Sequence, residues 1–425
     1  MSNKLIPELR FPEFKNEGEW TEKKISELGE TINGLTGKNG EDFGIGKSYV
    51  TYKQVFDNSI IDFHKCGKVK IDENENQNTL KKGDILFTTS SETPNEVGFA
   101  SVLVDSPKED IYLNSFCFAL RPFELEKTQP QFSRYLFHSP VYRKSVTAIA
   151  QGSTRYNLSK GAFLNLKVLF PNNQEQQKIA SCLSSLDEVI AVHTQKLELL
   201  KDHKKGLMQN LFPQKGEKVP KCRFKEFEKD GEWVEKKLAD ISSKIMVGIA
   251  SAATQAYRKS GIILFRNQNI KEGYLDDTDI LFLDEDYEKE HKNKRLKAGD
   301  LLTARTGYPG ITCVVPEKYE GSQSFTTLIT RPIPDFIISK FLCYYINSET
   351  GQEFFNATKI GGGQQNVNAG SLAEMPILFP FKKEQQKIAS CLSSLDELIT
   401  AQAEKIEQLK LHKKGLMQGL FPKMK

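Results

Sequence analysis

The chain has 425 residues, 59 basic against 55 acidic for a formal net charge of +4, with 38% hydrophobic and 27% charged side chains. That length suits two or three domains with proper cores, and the composition excludes a largely disordered chain. No stretch approaches the roughly eighteen apolar residues of a membrane span, and seven scattered cysteines without a CxxC pair signal neither a disulfide framework nor a zinc cluster, so a cytoplasmic protein with reduced thiols is expected.

In chain order, "RFPEFKNEGEWTEKKI" from Arg10 opens a first domain expected over residues 1–170. The runs "KSYVTYKQV", "GDILFTTS" and "SFCFALRP" read as strands, since Val, Ile, Phe and Tyr cluster between turn residues. Phe132 to Ala150 reads as helical. "GIGKS" at 44–48 resembles the end of a phosphate-binding loop, but Glu41 stands where that motif needs its first glycine. Glu22-Lys23-Lys24 and Glu235-Lys236-Lys237 have a nuclease-like Glu-x-Lys form without the upstream Pro-Asp such sites use. The loop "QGSTRYNLS" then leads into a long helical segment over 171–213.

A second domain is expected over 214–380, because most of these features return. "RFKEFEKDGEWVEKKL" starts at Arg223, "LKAGDLL" from Leu296 answers "LKKGDIL" from Leu80, and "LITRP" answers "ALRP". Its strands are read as "GIILFRNQNI", "GDLLTARTG" and "TTLITRP", with a helical stretch from Phe336 to Asn356. "GGGQQNVNAG" replaces the earlier loop, and a closing helix is expected within 381–425. No GxGxxG in strand-turn-helix context, no amino-methyltransferase signature and no metal spacing among the six histidines appears.

The two helical segments carry the strongest signal. Glu175–Pro213 and Glu384–Pro422 match at 29 of 39 positions without a gap. Ile179, Leu183, Leu186, Ile190, Leu197 and Leu200 fall on alternating steps of four and three, the seam of a heptad repeat. Ile388, Leu392, Leu395, Ile399, Ile406 and Leu409 repeat the pattern. His193 and Lys204, answered by Gln402 and Lys413, break both seams at the same places. A stripe this narrow on a helix of roughly 55 Å needs a partner, and the simplest is the other helix, packed antiparallel across an approximate two-fold axis. Their outer faces, including "HKKGLMQ" at 203–209 and 412–418, then become candidate docking surfaces, with Met208 and Met417 suited to an adaptable interface.

Domain, helix, domain, helix, with the E-Q-Q-K-I-A opening and the "QGSTRYNLS" stretch, resembles the specificity subunit of type I restriction-modification systems. The resemblance implies an α+β chain of two mixed α/β DNA target-recognition domains, related by pseudo-two-fold symmetry and joined by an antiparallel coiled coil. It implies a non-catalytic subunit that reads a bipartite, asymmetric double-stranded DNA target. It further implies two modification subunits that methylate adenine with S-adenosylmethionine, and restriction subunits using ATP and Mg, with no cofactor on this chain. The second half departs from the pattern at "GGGQQNVNAG".

Candidate DNA contacts follow from chemistry: Lys and Arg for phosphates, and Arg, Asn, Gln, Ser and Thr for base edges. In the first domain these are Lys38 and Lys47 around a Gly-rich loop, Tyr52, Lys53 and Gln54 at a strand end, Thr89 and Ser90 after "GDILF", and Arg155 and Tyr156 in the pre-helix loop. Their counterparts are Arg258, Lys259, Arg266, Asn267, Gln268, Arg305, Thr306, Gln364 and Gln365. The bland alternative for each Lys or Arg is a solvated surface residue, and for Arg155 it is a structural role at the loop-to-helix junction, pairing with an acid in the other half. For the whole chain, the alternatives are a coiled-coil scaffold whose domains bind protein or RNA, and an enzyme with concealed motifs.

Overall fold

The computed structural model describes residues 5–250, 253–357 and 367–423. It divides into two compact units, one of residues 1–194 with 404–425, the other of 195–403. Both long helices, Asn173–Leu211 and Lys382–Gly419, therefore contribute one end to each unit.

The first unit is built on an antiparallel sheet in the order Gly29–Asn33, Cys117–Pro122, Ile85–Thr88, Ala100–Val102. Successive residues of Ile85–Thr88 face opposite sides: Ile85 and Phe87 enter one core with Phe118 and Leu120, and Leu86 enters another with Cys117 and Ala119. An apolar run without alternation is what a strand buried on both faces requires. A second sheet sets Phe43–Val50 antiparallel to Gly67–Val69 and parallel to Ile111–Leu113.

The second unit repeats the scheme. Its main sheet runs Ser242–Val247, Leu328–Pro332, Leu301–Thr303, Thr312–Val314, with Leu301 and Leu302 likewise facing different cores. Ile85 pairs with Leu120 and Leu301 with Thr330, so the registers correspond.

The short sequence echoes mark ionic clasps. After the turn at Gly83 (φ +89°), fully buried Asp84 takes a bidentate contact from Arg121 at 2.9 and 2.6 Å. After Gly299 (φ +83°), Asp300 takes Arg331 at 2.7 Å through both oxygens. The fork geometry of guanidinium on carboxylate fixes the central strand against its neighbour. The E-Q-Q triplet makes a second clasp. Glu175 receives Arg10 at 2.9 and 2.7 Å, and Gln176 donates to the carbonyls of Lys127 and Pro171. Glu384 with Arg223, and Gln385 with the carbonyls of Phe336 and Pro380, do the same.

Each unit contains an antiparallel helix pair. In the first, Ile179 and Leu183, near the start of one helix, share a core with Met417, Leu420 and Phe421, at the end of the other. Phe421 packs edge-on to Trp20 and stacks on Phe132. In the second, Ile388 and Leu392 share a core with Met208, Leu211 and Phe212, and Phe212 meets Trp233 and Phe341. Met208 and Met417 are thus 8% and 9% exposed, interior residues instead of the outward-facing contacts expected from sequence. Met208 and Met417 stand one residue past the seam positions Leu207 and Leu416, and the docking of each helix end into the core of its unit is what covers them.

Seam residues Leu395 and Ile406 are buried, and Leu186, Ile190, Leu197, Leu200, Ile399 and Leu409 are partly covered. The breaks also have partners. Lys413 pairs with Asp187, which also takes Arg134 at 2.7 Å and the Tyr135 hydroxyl at 2.8 Å. Lys204 reaches Asp396 at 2.9 Å, beside the Tyr344 hydroxyl at 2.6 Å. A lysine on a heptad seam costs stability and selects register, since a slip would strand the charge.

The helical stretches are each split in two, at Ser139-Pro140 and at Ser348. Proline cannot continue the first helix but suits the opening of the next, where the Ser139 hydroxyl accepts from Tyr142 N–H. In this region His138 donates from Nε2 to the Ala100 carbonyl at 2.6 Å, and Asn347 donates to the matching Thr312 carbonyl at 2.7 Å. Loss of hydration lowers the His138 pKa to about 4, and Asn347 cannot titrate.

The unfolded chain takes up a proton at His138 below its ordinary pKa of roughly 6.5, while the folded one resists until about 4. Stability of the first unit present above that range is therefore lost as pH falls through it. His138→Asn should remove that loss, read as urea midpoints by Trp20 fluorescence in a Trp233→Phe background. Separately, Lys204→Ala should cost the second unit about 1–2 kcal/mol, and a double-mutant cycle with Asp396→Ala should return about 1 kcal/mol of coupling, reported by Trp233 with Trp20→Phe.

Candidate nucleic-acid interface

One edge of each unit gathers strand end, neighbouring turn and pre-helix loop. In the first unit, both the backbone N–H and the hydroxyl of Thr89 donate to the Phe116 carbonyl, at 3.0 and 2.8 Å. Phe116 is the third residue of the turn Asn114–Cys117, its N–H bonds the Asn114 side chain, and the residue is left 54% exposed. The Arg155 guanidinium lies 5.7 Å from the centre of that ring. Leu158 N–H bonds the Thr89 carbonyl, and Tyr156–Asn157 pairs with Ser90–Ser91, bringing the pre-helix loop to the same place. The Tyr52 hydroxyl donates to the Ser90 carbonyl at 2.6 Å, and burial raises its pKa. Tyr52, Thr89, Arg155 and Tyr156 therefore converge.

The other first-unit candidates do not join them equally. Tyr52, Lys53 and Gln54 follow the strand, which ends at Val50, and lie in a short helix, Tyr52–Asp57, capped by Thr51. Gln54 is 4% exposed and accepts from Asp62 N–H, and the Ser90 side chain is 4% exposed, so neither is free to read DNA. Lys38 forms an ion pair with Glu75 with 5% of its side chain exposed, and that bond is the largest cause lowering the Glu75 pKa to about 2. Lys53 pairs with Asp57 at 2.5 Å, and Lys47 is exposed.

In the second unit, Arg305 holds the position of Thr89 and Thr326 that of Phe116, by sheet register. Here a side chain is interposed. Asn267 accepts from Arg305 N–H at 2.7 Å and donates to the Thr326 hydroxyl and carbonyl at 3.2 and 3.4 Å. Among the described residues Thr326 is the sole non-glycine at positive φ (+52°), a conformation that costs a branched side chain about 1–3 kcal/mol. Arg305 Nε donates to the Val367 carbonyl at 3.1 Å.

The remaining candidates divide by partner. Arg258 pairs with Asp284 at 3.1 Å, and Arg266 with Asp279 at 2.8 Å, where Gln268 also bonds at 2.7 Å. Lys259 is exposed and Thr306 partly so. Gln364 and Gln365 lie outside the described residues. Phe116, Thr326 and the 83% exposed Tyr308 are not among the residues picked out by the sequence. The Asn-Ser turn before Phe116 and the Gly-Tyr-Pro-Gly run around Tyr308 were available signals of outward-facing aromatics.

Residues 17–202 and 230–411 match the type I restriction modification DNA specificity domain. The chain belongs to the type I restriction-modification specificity family. The MjaVIII specificity subunit of Methanocaldococcus jannaschii is 26% identical over 298 residues, covering 68% of this chain and 69% of the relative. The putative MjaX specificity subunit of the same organism is 25% identical over 417 residues, 95% of this chain and 93% of its own. The EcoKI specificity subunit of Escherichia coli K12 is 24% identical over 328 residues, 73% of this chain and 67% of its own. Among solved structures, an S subunit from M. genitalium aligns with a TM-score of 0.58 at 16% identity, covering 99% of this chain and all of that one. A chain from a type I R-M assembly study aligns at 0.60 and 16%, covering 95% and 97%. Both show the same fold. This specificity subunit thus has DNA target recognition as its task, and the two edges are where its unlike side chains gather.

Pairing sorts the cations by expected effect. In the specificity subunit Lys38→Ala should leave affinity for target DNA unchanged, whereas Arg155→Ala should weaken it by about 1–2 kcal/mol, or five- to thirtyfold, in equilibrium binding at fixed salt.

Proposed function

We propose that each unit reads one half of a bipartite, asymmetric DNA sequence, and that the chain, itself non-catalytic, presents that target to two modification subunits and to restriction subunits. The observation that carries this reading is the pair of edges. Position 89/305 is Thr in one unit and Arg in the other, and position 116/326 is Phe and Thr, on corresponding sheet registers. Like frames with unlike edges suit readers of unlike sequences.

The helices supply the repeated part. Exposed His203, Lys205 and Gln209 on one, and His412, Lys414 and Gln418 on the other, offer nearly the same surface twice, suited to binding one kind of partner two times. S-adenosylmethionine would be held by the modification subunits, and ATP with Mg by the restriction subunits, all in the cytoplasm. Among the described residues no helix is long and apolar enough to cross a membrane.

The test is an exchange of residues 1–170 for the equivalent segment of a relative, followed by mapping of modified adenines in cells carrying the hybrid. One half of the methylated sequence should change and the other stay. A change in both halves or in neither would overturn the reading. Mass measurement of the complex should show two modification subunits per chain.

A further inference from the structure

Resting on the reading above, we infer that Arg305 is a specificity-determining residue that recognises a guanine in the half of the target read by the second unit. The second unit contains six arginines. Arg223, Arg258, Arg266, Arg295 and Arg331 are each paired with a carboxylate. Arg305 alone has no acidic partner among the described residues. A guanidinium is always charged, and Arg305 is only partly covered, so its charge is open to an acceptor from outside the chain.

Its attachment leaves the reading edge free. Asn267 Oδ1 accepts from the Arg305 backbone, and the Val367 carbonyl accepts from Nε at 3.1 Å. The Arg305 carbonyl in turn receives Val367 N–H at 3.4 Å. The two terminal Nη groups have no hydrogen-bond partner among the described residues. The backbone and the Nε edge of the side chain are therefore held, which leaves the donors of the two Nη groups for an outside acceptor. Guanine offers two acceptors, N7 and O6, side by side in the major groove, whereas adenine offers N7 next to a donor. A fork of two donors matches the first and is repelled by the second.

The contrast with the first unit supports this assignment. There the Thr89 N–H bonds Phe116 directly, while in the second unit the Asn267 carboxamide stands between the equivalent groups and Thr326 adopts its left-handed conformation. The bridge is what holds Arg305 in place. Asn267 is thus a positioning residue and touches no base in this scheme. Among the described residues of the first unit Arg143 and Arg155 are likewise without an acidic partner, but Arg143 is taken up by the carbonyls of Asn95, Val97 and Gly98, and Arg155 is exposed and lies over a ring instead of being anchored through Nε, which suits a contact less selective than a fixed fork.

The experiment is selection from a pool of random-sequence duplexes by the complex of the chain with its modification partner, then sequencing. The half belonging to the second unit is the one that survives exchange of residues 1–170. If the wild type selects no motif, the proposed function fails and Arg305 is not at issue. Given a wild-type motif, Arg305→Gln, which keeps the backbone anchor but lacks the fork, should lower the preference for one guanine in that half about 5- to 150-fold. The rest of the motif and the melting temperature should be unchanged. Arg305→Ala should do the same, and Asn267→Ala should blunt the same position while leaving the salt dependence of binding intact. Uniform weakening on all sequences, with the log–log salt slope reduced by about one, would mark a phosphate contact and overturn the inference. So would an unchanged motif, or a lost base other than guanine.

Discussion

A carboxylate removed from water is tolerable only with a partner that replaces its hydration, and Glu175 and Glu384 are each 1% exposed. Arg10 and Arg223, themselves 6% and 7% exposed, supply two hydrogen bonds apiece. Removing one member of such a pair costs about 3–5 kcal/mol, because the other is left charged and buried. The rest of each unit depends on where this clasp puts the helix start. The strands Lys167–Phe170 and Pro376–Phe379 run directly into the helices and pair with Thr21–Lys24 and Val234–Lys237. The neighbouring Gln176 and Gln385 tie the same point to the chain leading into the helical pairs. The helix start, the two-stranded sheet before it and the chain entering the helical pair are thereby indexed to one place.

The second constraint acts at the other end of each helix. Phe421 and Phe212 complete aromatic cores that contain Trp20 with Phe132 and Trp233 with Phe341. The seam between is not purely apolar, and its lysines find aspartates within the same unit, at Asp187 and Asp396. Apolar burial along the stripe is permissive of slips by a heptad, but a charge pair is not. Association strength and its register thus come from different residues of one repeat.

Much of this frame was legible in the sequence because it is periodic or duplicated. A heptad stripe and a doubled Glu-Gln-Gln declare a helix and its partner without any tertiary knowledge. The strands around Ile85–Thr88 and Leu301–Thr303 were equally plain, as short apolar runs after a Gly-Asp turn. What could not be read was pairing. Lys38 and Arg155 look alike as letters, yet one meets Glu75, thirty-seven residues away, and the other meets a ring. The inward turn of Met208 and Met417 was hidden for a related reason, since only the docking of the helix ends shows which part of the last turns is covered. Likewise Gln54 reads as a base-reading residue until Thr51 caps a helix and folds it inward.

The two edges show how a fixed frame can carry variable chemistry. The clasps at Asp84–Arg121 and Asp300–Arg331, and those at Glu175 and Glu384, share no partner with Thr89, Phe116, Arg305 or Thr326. Substitutions at sites without common partners add nearly independently, so a change at the edge need not be compensated in the frame. The second unit demonstrates the latitude available: it admits a carboxamide between two backbone groups that bond directly in the first, and accommodates a branched residue at φ +52°. That strain is tolerated because Asn267 bonds both sides of the gap. A frame stable enough to support such a distortion at its margin can change which base it favours without changing how it folds.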